Sequence, residues 1–102
     1  MMKVVFSPSA VSDFREILDY LHTRNPAAAF QLVEDLAEFC IEIIGEHPGI
    51  GREADHLMPN LRIIAKSNYY ICYRVLGSRV EIGRLIHAAR DLGRLLREQD
   101  PN

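Results

Sequence analysis

The stretch that decides the fold is Tyr69-Tyr70-Ile71-Cys72-Tyr73-Arg74-Val75-Leu76-Gly77-Ser78-Arg79-Val80-Glu81-Ile82-Gly83-Arg84-Leu85-Ile86. Two runs rich in β-branched and aromatic residues flank a Gly-Ser pair, and a two-residue link of that kind marks a β-hairpin. Strands are predicted over 69–76 and 79–86. With the turn at Gly77-Ser78, Arg74 faces Glu81, Tyr73 faces Ile82 and Val75 faces Val80. An opposite-charge pair and two apolar pairs then coincide, which supports this register, because a one-residue slip would turn every side chain to the other face. On that pattern Arg84 shares a face with Tyr73, Ile82 and Ile86, packing its stem there and carrying its charge to the rim.

Working outward, Leu61 to Ala65 reads as a further strand, tied to Tyr69 by a tight Ser67-Asn68 connection. His47-Pro48-Gly49-Ile50-Gly51-Arg52 is turn chemistry, and the loop it opens runs to about Asn60. Further upstream, Ser7-Pro8 and Asn25-Pro26 are two helix starts, each with an N-cap side chain before a proline suited to the first turn. Val11, Phe14, Ile17, Leu18 and Leu21 form the stripe of the first helix, with Asp13, Arg15, Glu16 and Asp19 off it. Ala29, Val33, Leu36, Cys40 and Ile43 form the stripe of the second, flanked by Leu32, Phe39 and Ile44, and Gly45 is read as its left-handed exit. A very short link makes the pair an αα-hairpin. Lys3 to Phe6 is an opening strand, and a short last helix is predicted over 91–98, with Gly93 against it. The predicted fold is α+β: a strand, an antiparallel helical hairpin, then a three-stranded antiparallel meander, with the helices packed on one face of the sheet.

At 102 residues the chain is read as one domain, 1–102, with residues 91–102 as its short helix or tail. Apolar residues make up 48% and charged residues 25%, too apolar a balance for disorder. No apolar run approaches the ~20 residues a bilayer-crossing helix needs, so no membrane partner is expected. Ser7-Pro8 cuts short any secretory apolar segment, and Cys40 and Cys72 both sit in apolar patterns suited to packed thiols, so the expected location is cytoplasmic.

The net charge of −2 conceals a segregation. Residues 1–51 hold three basic groups against eight acidic ones, whereas 62–97 hold eight basic groups against Glu81 and Asp91. Such asymmetry suggests that the basic part meets an anionic partner, nucleic acid or acidic peptide.

Several elements recur in a recognisable order: Ser7-Pro8-x-Ala10-x-x-Asp13, Ile17-x-x-Tyr20, Asn25-Pro26-x-Ala28-Ala29, Pro48-x-x-Gly51-Arg52, Arg62, Tyr70-x-x-Tyr73-Arg74-Val75 and Ile86-His87-x-x-Arg90-Asp91. Over residues 2 to about 91 the chain resembles the RelE/ParE superfamily of bacterial type II toxin–antitoxin toxins, and within it the ParE branch. The resemblance implies a growth-inhibiting toxin silenced by a cognate, ParD-like antitoxin encoded beside it, which wraps an extended and helical segment over the toxin. ParE-like members imply inhibition of DNA gyrase by binding. RelE-like members imply the alternative, a metal-free endoribonuclease acting on messenger RNA in the ribosome.

Metal-free RNA cleavage needs a base for the 2′-hydroxyl, cations for the phosphate and an acid at the leaving oxygen. Arg62, Lys66, Arg74 and Arg84 are the candidate clamp, His87 the candidate acid or base, and Glu53 a weaker base. The RelE-like pattern also favours a late tyrosine near the position held here by Ala88, yet no aromatic residue follows Tyr73. The binding candidates, for antitoxin or target, are Arg62, Arg74, Arg84, His87 and Arg90. Plainer roles stand beside these: Arg74 as cross-strand partner of Glu81, Arg84 as a packed stem, His87 and Arg90 as cap or partner of Asp91. Tyr69, Tyr70 and Tyr73 suit sheet packing better than base stacking. A third reading is a partner-binding module without toxicity. His22, His47, His56 and His87 lack zinc spacing, and neither a phosphate-binding glycine loop nor a nucleophile elbow is present, so no metal and no cofactor is expected. Glu34-Asp35, Glu38 and Glu42 read as the solvated face of the second helix.

Overall fold

The computed structural model describes residues 1–90 and 92–94. Strand β1 (Lys3–Phe6) leads through Ser7 into helix α1 (Pro8–His22). Ser7 stays extended while its Oγ accepts the Ala10 N–H at 3.1 Å, satisfying one of the orphan donors of the first turn. Asn25 does the same for helix α2 (Pro26–Glu38), accepting from the Ala28 N–H at 3.1 Å. The two helices fold back on one another, as the short link requires.

The last turns of the second helix, Phe39–Ile44, wind as a π-helix. Its i→i+5 bonds take more residues per turn and so shift the buried stripe by one position. Ile44 is therefore fully buried and Ile43 is 38% exposed, the reverse of the predicted order. Gly45 is not a left-handed exit either, for its φ is −60°. A Cβ there would stand 3.2 Å from the Val4 side chain and 3.3 Å from the Met2 carbonyl. The glycine serves the close approach of β1, whose Met2 N–H donates to the Gly45 carbonyl at 2.9 Å.

Four further strands follow among the described residues: β2 (Arg52–Glu53), β3 (Arg62–Lys66), β4 (Tyr69–Leu76) and β5 (Arg79–His87). The five-stranded order is β1-β5-β4-β3-β2, so the predicted meander is the centre of a larger sheet. β1 joins it parallel to β5, with Val4 beside Val80 and Phe6 beside Ile82. β2 lies inside the predicted loop and pairs antiparallel with β3, Arg52 opposite Ile63. Ser67 and Asn68 both take positive φ (53° and 66°), the geometry of a tight hairpin turn matched to strand twist.

The register predicted around Gly77-Ser78 holds from Leu76 back to Tyr73, with Arg74 opposite Glu81. Beyond it the pairing slips by one, Cys72 facing Arg84, so β5 carries one extra residue, Gly83. This bulge reverses the alternation. Val80, Ile82 and Leu85 face the helices with Ile71 and Tyr73, whereas Ile86 turns to the opposite face with Cys72 and Ile63. Arg84 thus does not share a face with Tyr73 and Ile82. The second face is covered too: Ala54, Leu57, Met58 and Leu61 of the long loop pack on Ile63, Cys72, Tyr70 and Ile86. Of the predicted last helix, 92–94 are helical and the remainder lies outside the described residues.

Candidate functional site

β1 pairs with β5 only as far as Ile82, and beyond that point the start of α1 completes the edge. The Ser7 N–H donates to the Ile82 carbonyl at 2.9 Å, and the Ser7 hydroxyl donates to the Gly83 carbonyl at 2.9 Å. Next along, the Asp13 carboxylate accepts from the Leu85 N–H at 2.9 Å, replacing the strand partner that the edge lacks. The same carboxylate receives Arg84 Nε at 2.7 Å and a second guanidinium nitrogen at 3.1 Å. Asp13, which spacing puts off the apolar stripe of α1, is only 7% exposed. The bidentate, charge-assisted geometry satisfies both ions where water cannot.

Arg62 donates to the Gly51 carbonyl at 2.7 Å and to the Gly49 carbonyl at 3.3 Å, and pairs with Glu53 at 3.3 Å. Tyr73 completes the bracing of that loop: its hydroxyl accepts the Gly51 N–H at 2.8 Å and donates to the Pro48 carbonyl at 2.7 Å. A Cβ on Gly51 would lie 2.8 Å from the buried Tyr73 ring, which explains the glycine in Pro48-x-x-Gly51-Arg52. Burial pushes the Tyr73 phenol up, opposed by the Gly51 hydrogen bond and by Arg62. Arg74 pairs with Glu81 at 3.2 Å, as the hairpin register predicts.

The candidate clamp of Arg62, Lys66, Arg74 and Arg84 is therefore not brought together. Arg62, Arg74 and Arg84 each answer a carboxylate of their own chain. By strand alternation Arg62 and Lys66 lie on the helix-bearing face with Ile64, and Arg74 and Arg84 on the other with Cys72. Lys66 places its ammonium 5.6 Å from the centre of the Phe39 ring.

His87 and Arg90 stand apart from these pairs. They line a cleft of about 470 Å³ between α1 and the end of β4–β5, walled by Tyr20, Tyr69, Ile17, Leu85 and Glu16. His87 packs edge-on against Tyr69, ring centres 5.2 Å apart. Its Nδ1 accepts the Ala89 N–H at 3.0 Å, so Nε2 carries the proton of the neutral ring and presents a donor. Arg24 lies 4.5 Å over the exposed ring of Tyr20. Asp91, the expected partner of His87 and Arg90, lies outside the described residues. Among the described residues no group of three His, Cys, Asp or Glu side chains is placed to hold a metal.

Sequence spacing missed Asp13 because a single buried polar residue does not disturb an apolar period. The signal was present in Ser7-Pro8-x-Ala10-x-x-Asp13, but nothing in that string says which strand edge it serves.

A braced Pro-Gly loop, a capped helical hairpin over one face and a bulged hairpin strand joined in parallel by the N-terminus define a small α+β toxin-like sandwich. The model of the ParE toxin of type II toxin–antitoxin systems matches residues 4–92, and the chain belongs to this family, within the RelE/ParE superfamily of toxins. Toxin RelE1 of Caulobacter vibrioides is 34% identical over 85 residues, covering 82% of this chain and 90% of that relative. Toxin ParE1 of the same organism is 45% identical over 47 residues, about half of each chain (46% and 48%). Among solved structures, a chain of the chromosomal ParDE system from P. aeruginosa superposes with a TM-score of 0.71 at 24% identity, covering 85% of this chain and 96% of that one. A chain of the RelBE2 toxin–antitoxin complex from Mycobacterium tuberculosis gives 0.65 at 19%, covering 84% and 96%. Both structural likenesses speak to the fold. The relatives carry both ParE and RelE names, so the family stands and the cellular target is a separate question.

Proposed function

We propose that this toxin acts by binding rather than by cutting RNA, that its target is DNA gyrase, and that a cognate ParD-like antitoxin silences it by covering it. The observation that carries the reading is the dispersal of the groups a metal-free ribonuclease would bring together. A clamp on a scissile phosphate needs unpaired cations converging with an acid and a base. Here Arg62 and Arg74 are paired on opposite faces, Arg84 is buried against Asp13, and His87 opens into a different cleft. No aromatic residue follows Tyr73 to stack on a base.

The cleft of Tyr20, Tyr69, His87 and Arg90 is the surface we assign to the target. It offers two aromatic walls and two donors that, among the described residues, no carboxylate holds in an ion pair. Expression of the chain without antitoxin is expected to arrest growth with a DNA-damage response and loss of gyrase supercoiling, while messenger RNA stays intact. Codon-specific cleavage of messenger RNA on ribosomes would reverse the assignment, and normal growth would leave only a partner-binding module.

A further inference from the structure

His87 and Arg90 reach their cleft from a short pinned turn. The Ala88 N–H donates to the Asn68 carbonyl at 2.8 Å, which ties the turn to the β3–β4 hairpin, and the Arg90 N–H donates to the His87 carbonyl at 3.0 Å. Asn68 takes a positive φ of 66° to allow this. Because Nδ1 of His87 is occupied by the Ala89 N–H, the ring cannot turn over without losing that bond, and Nε2–H is a fixed donor. Among the described residues neither Nε2 nor the Arg90 guanidinium has an ion-pair or hydrogen-bond partner. An imidazole donor and a guanidinium on one turn suit a single oxyanion.

The wall contributed by α1 decides which oxyanion. It presents Glu16 and Tyr20, one turn apart and both exposed, with buried Ile17 and Leu85 beneath. Among the described residues Glu16 and Asp19 make no ion pair, and Arg15 alone offsets them on this helix, since Asp13 is already held by Arg84. A phosphodiester strand carries a charge at every nucleotide, so anchoring one phosphate at Arg90 brings others against these carboxylates. Like charges brought face to face reject a wrong partner. A protein segment brings one carboxylate and then apolar surface, which matches the tyrosines and the floor. Burial and the nearby Tyr20 push the Tyr69 phenol up, so its hydroxyl adds no negative charge there.

We infer, on the reading that this cleft meets the target, that it takes a protein segment with one acidic side chain beside an aromatic or aliphatic one, and that Glu16 turns nucleic acid away. Arg90 and His87 hold the carboxylate, Tyr20 and Tyr69 flank its neighbour, and Glu16 is left to accept from a basic or amide group further along the segment.

The test titrates the isotope-labelled full chain, followed by NMR at 50 mM salt, with three probes: acetyl-Asp-Leu-Tyr-Lys-amide, its acetyl-Asn-Leu-Tyr-Lys-amide counterpart, and a four-nucleotide oligothymidylate. The acidic peptide is expected to shift the amide signals of Tyr20, Tyr69 and His87 and to bind at least fivefold more tightly than the other two. Arg90→Gln is expected to remove the preference for the acidic peptide over its neutral counterpart. Glu16→Lys is expected to reverse the order of acidic peptide and oligothymidylate. Both side chains are exposed, and circular dichroism checks that each variant is folded. Tighter binding of oligothymidylate to the unaltered chain would overturn the inference, as would an order that Glu16→Lys leaves unchanged or an acidic peptide bound no better than the neutral one. Gyrase holoenzyme is titrated in parallel. If the unaltered chain does not bind it while the peptide preference holds, the gyrase reading alone fails and the ligand class stands. If gyrase binds the unaltered chain and Arg90→Gln equally, the cleft does not hold the target and the inference falls with that assignment.

Discussion

At the scale of single residues the molecule depends on a few polar contacts inside an apolar frame. Asp13 and Arg84 show how. Each is almost fully covered, and the carboxylate also holds the Leu85 N–H. Removing one partner strands the other charge, so Arg84→Ala is expected to cost about 3–5 kcal/mol. The double variant Asp13→Ala/Arg84→Met is expected to cost less than the sum of its singles, since no orphan ion remains. Urea unfolding of the four proteins measures the coupling, and strict additivity would show that the pair does not act as one unit. The thiols report burial in another way. Desolvation pushes both Cys40 and Cys72 up to about 12 from an ordinary 9.0, and both are free and buried. A group with a raised folded pKa contributes its stability in full below the unfolded value and loses it as pH climbs toward the folded one. Stability from this source should therefore be intact below about pH 9 and fall between pH 9 and 12. Native protein at pH 8 is expected to resist a thiol reagent that labels the urea-unfolded chain at once, and rapid native labelling would contradict the buried placement.

At the scale of elements, two irregularities decide which side chains enter the core. The π-helical end of the second helix brings Ile44 in and leaves Ile43 out. Ile44→Ala is accordingly expected to cost about 2–5 kcal/mol, the range for emptying a packed aliphatic site. Ile43→Ala should cost no more than ~0.5 kcal/mol, as surface substitutions do. Equal losses at the two positions, measured by chemical denaturation, would mean a regular α-helical end. The bulge at Gly83 performs a similar exchange in β5, placing Arg84 where the carboxylate of α1 can reach it. A regular strand would have kept Arg84 on the face of Ile82, under the helices.

At the scale of the whole molecule, the first six residues close the sheet. β1 pairs with residues 79–82 across nearly the full chain length, and Val4 and Phe6 pack on the helix-side core. Burying an aliphatic or aromatic side chain is worth about 1.5–3 kcal/mol, against a total stability of about 5–15 kcal/mol for such a domain. A chain beginning at Ser7 is expected to lose at least half its urea midpoint, or its cooperative transition altogether. An unchanged midpoint would show β1 to be an accessory edge. The same long-range pairing explains how legible this protein was. Helix starts, the hairpin turn and the pairing of Arg74 with Glu81 all arise from neighbours in sequence, because caps, turn residues and periodicity act over a few positions. They determined the α+β layers, the order of elements and the resemblance that led to the toxin family. The bulge and the burial of Asp13 arise where segments some seventy residues apart share one edge, and the π-helical end lies against β1, far from it in sequence. Only packed neighbours could decide them. They also decided which arginines are neutralised and which glutamates are not, since a charge's partner is set by distance in space and not by spacing along the chain.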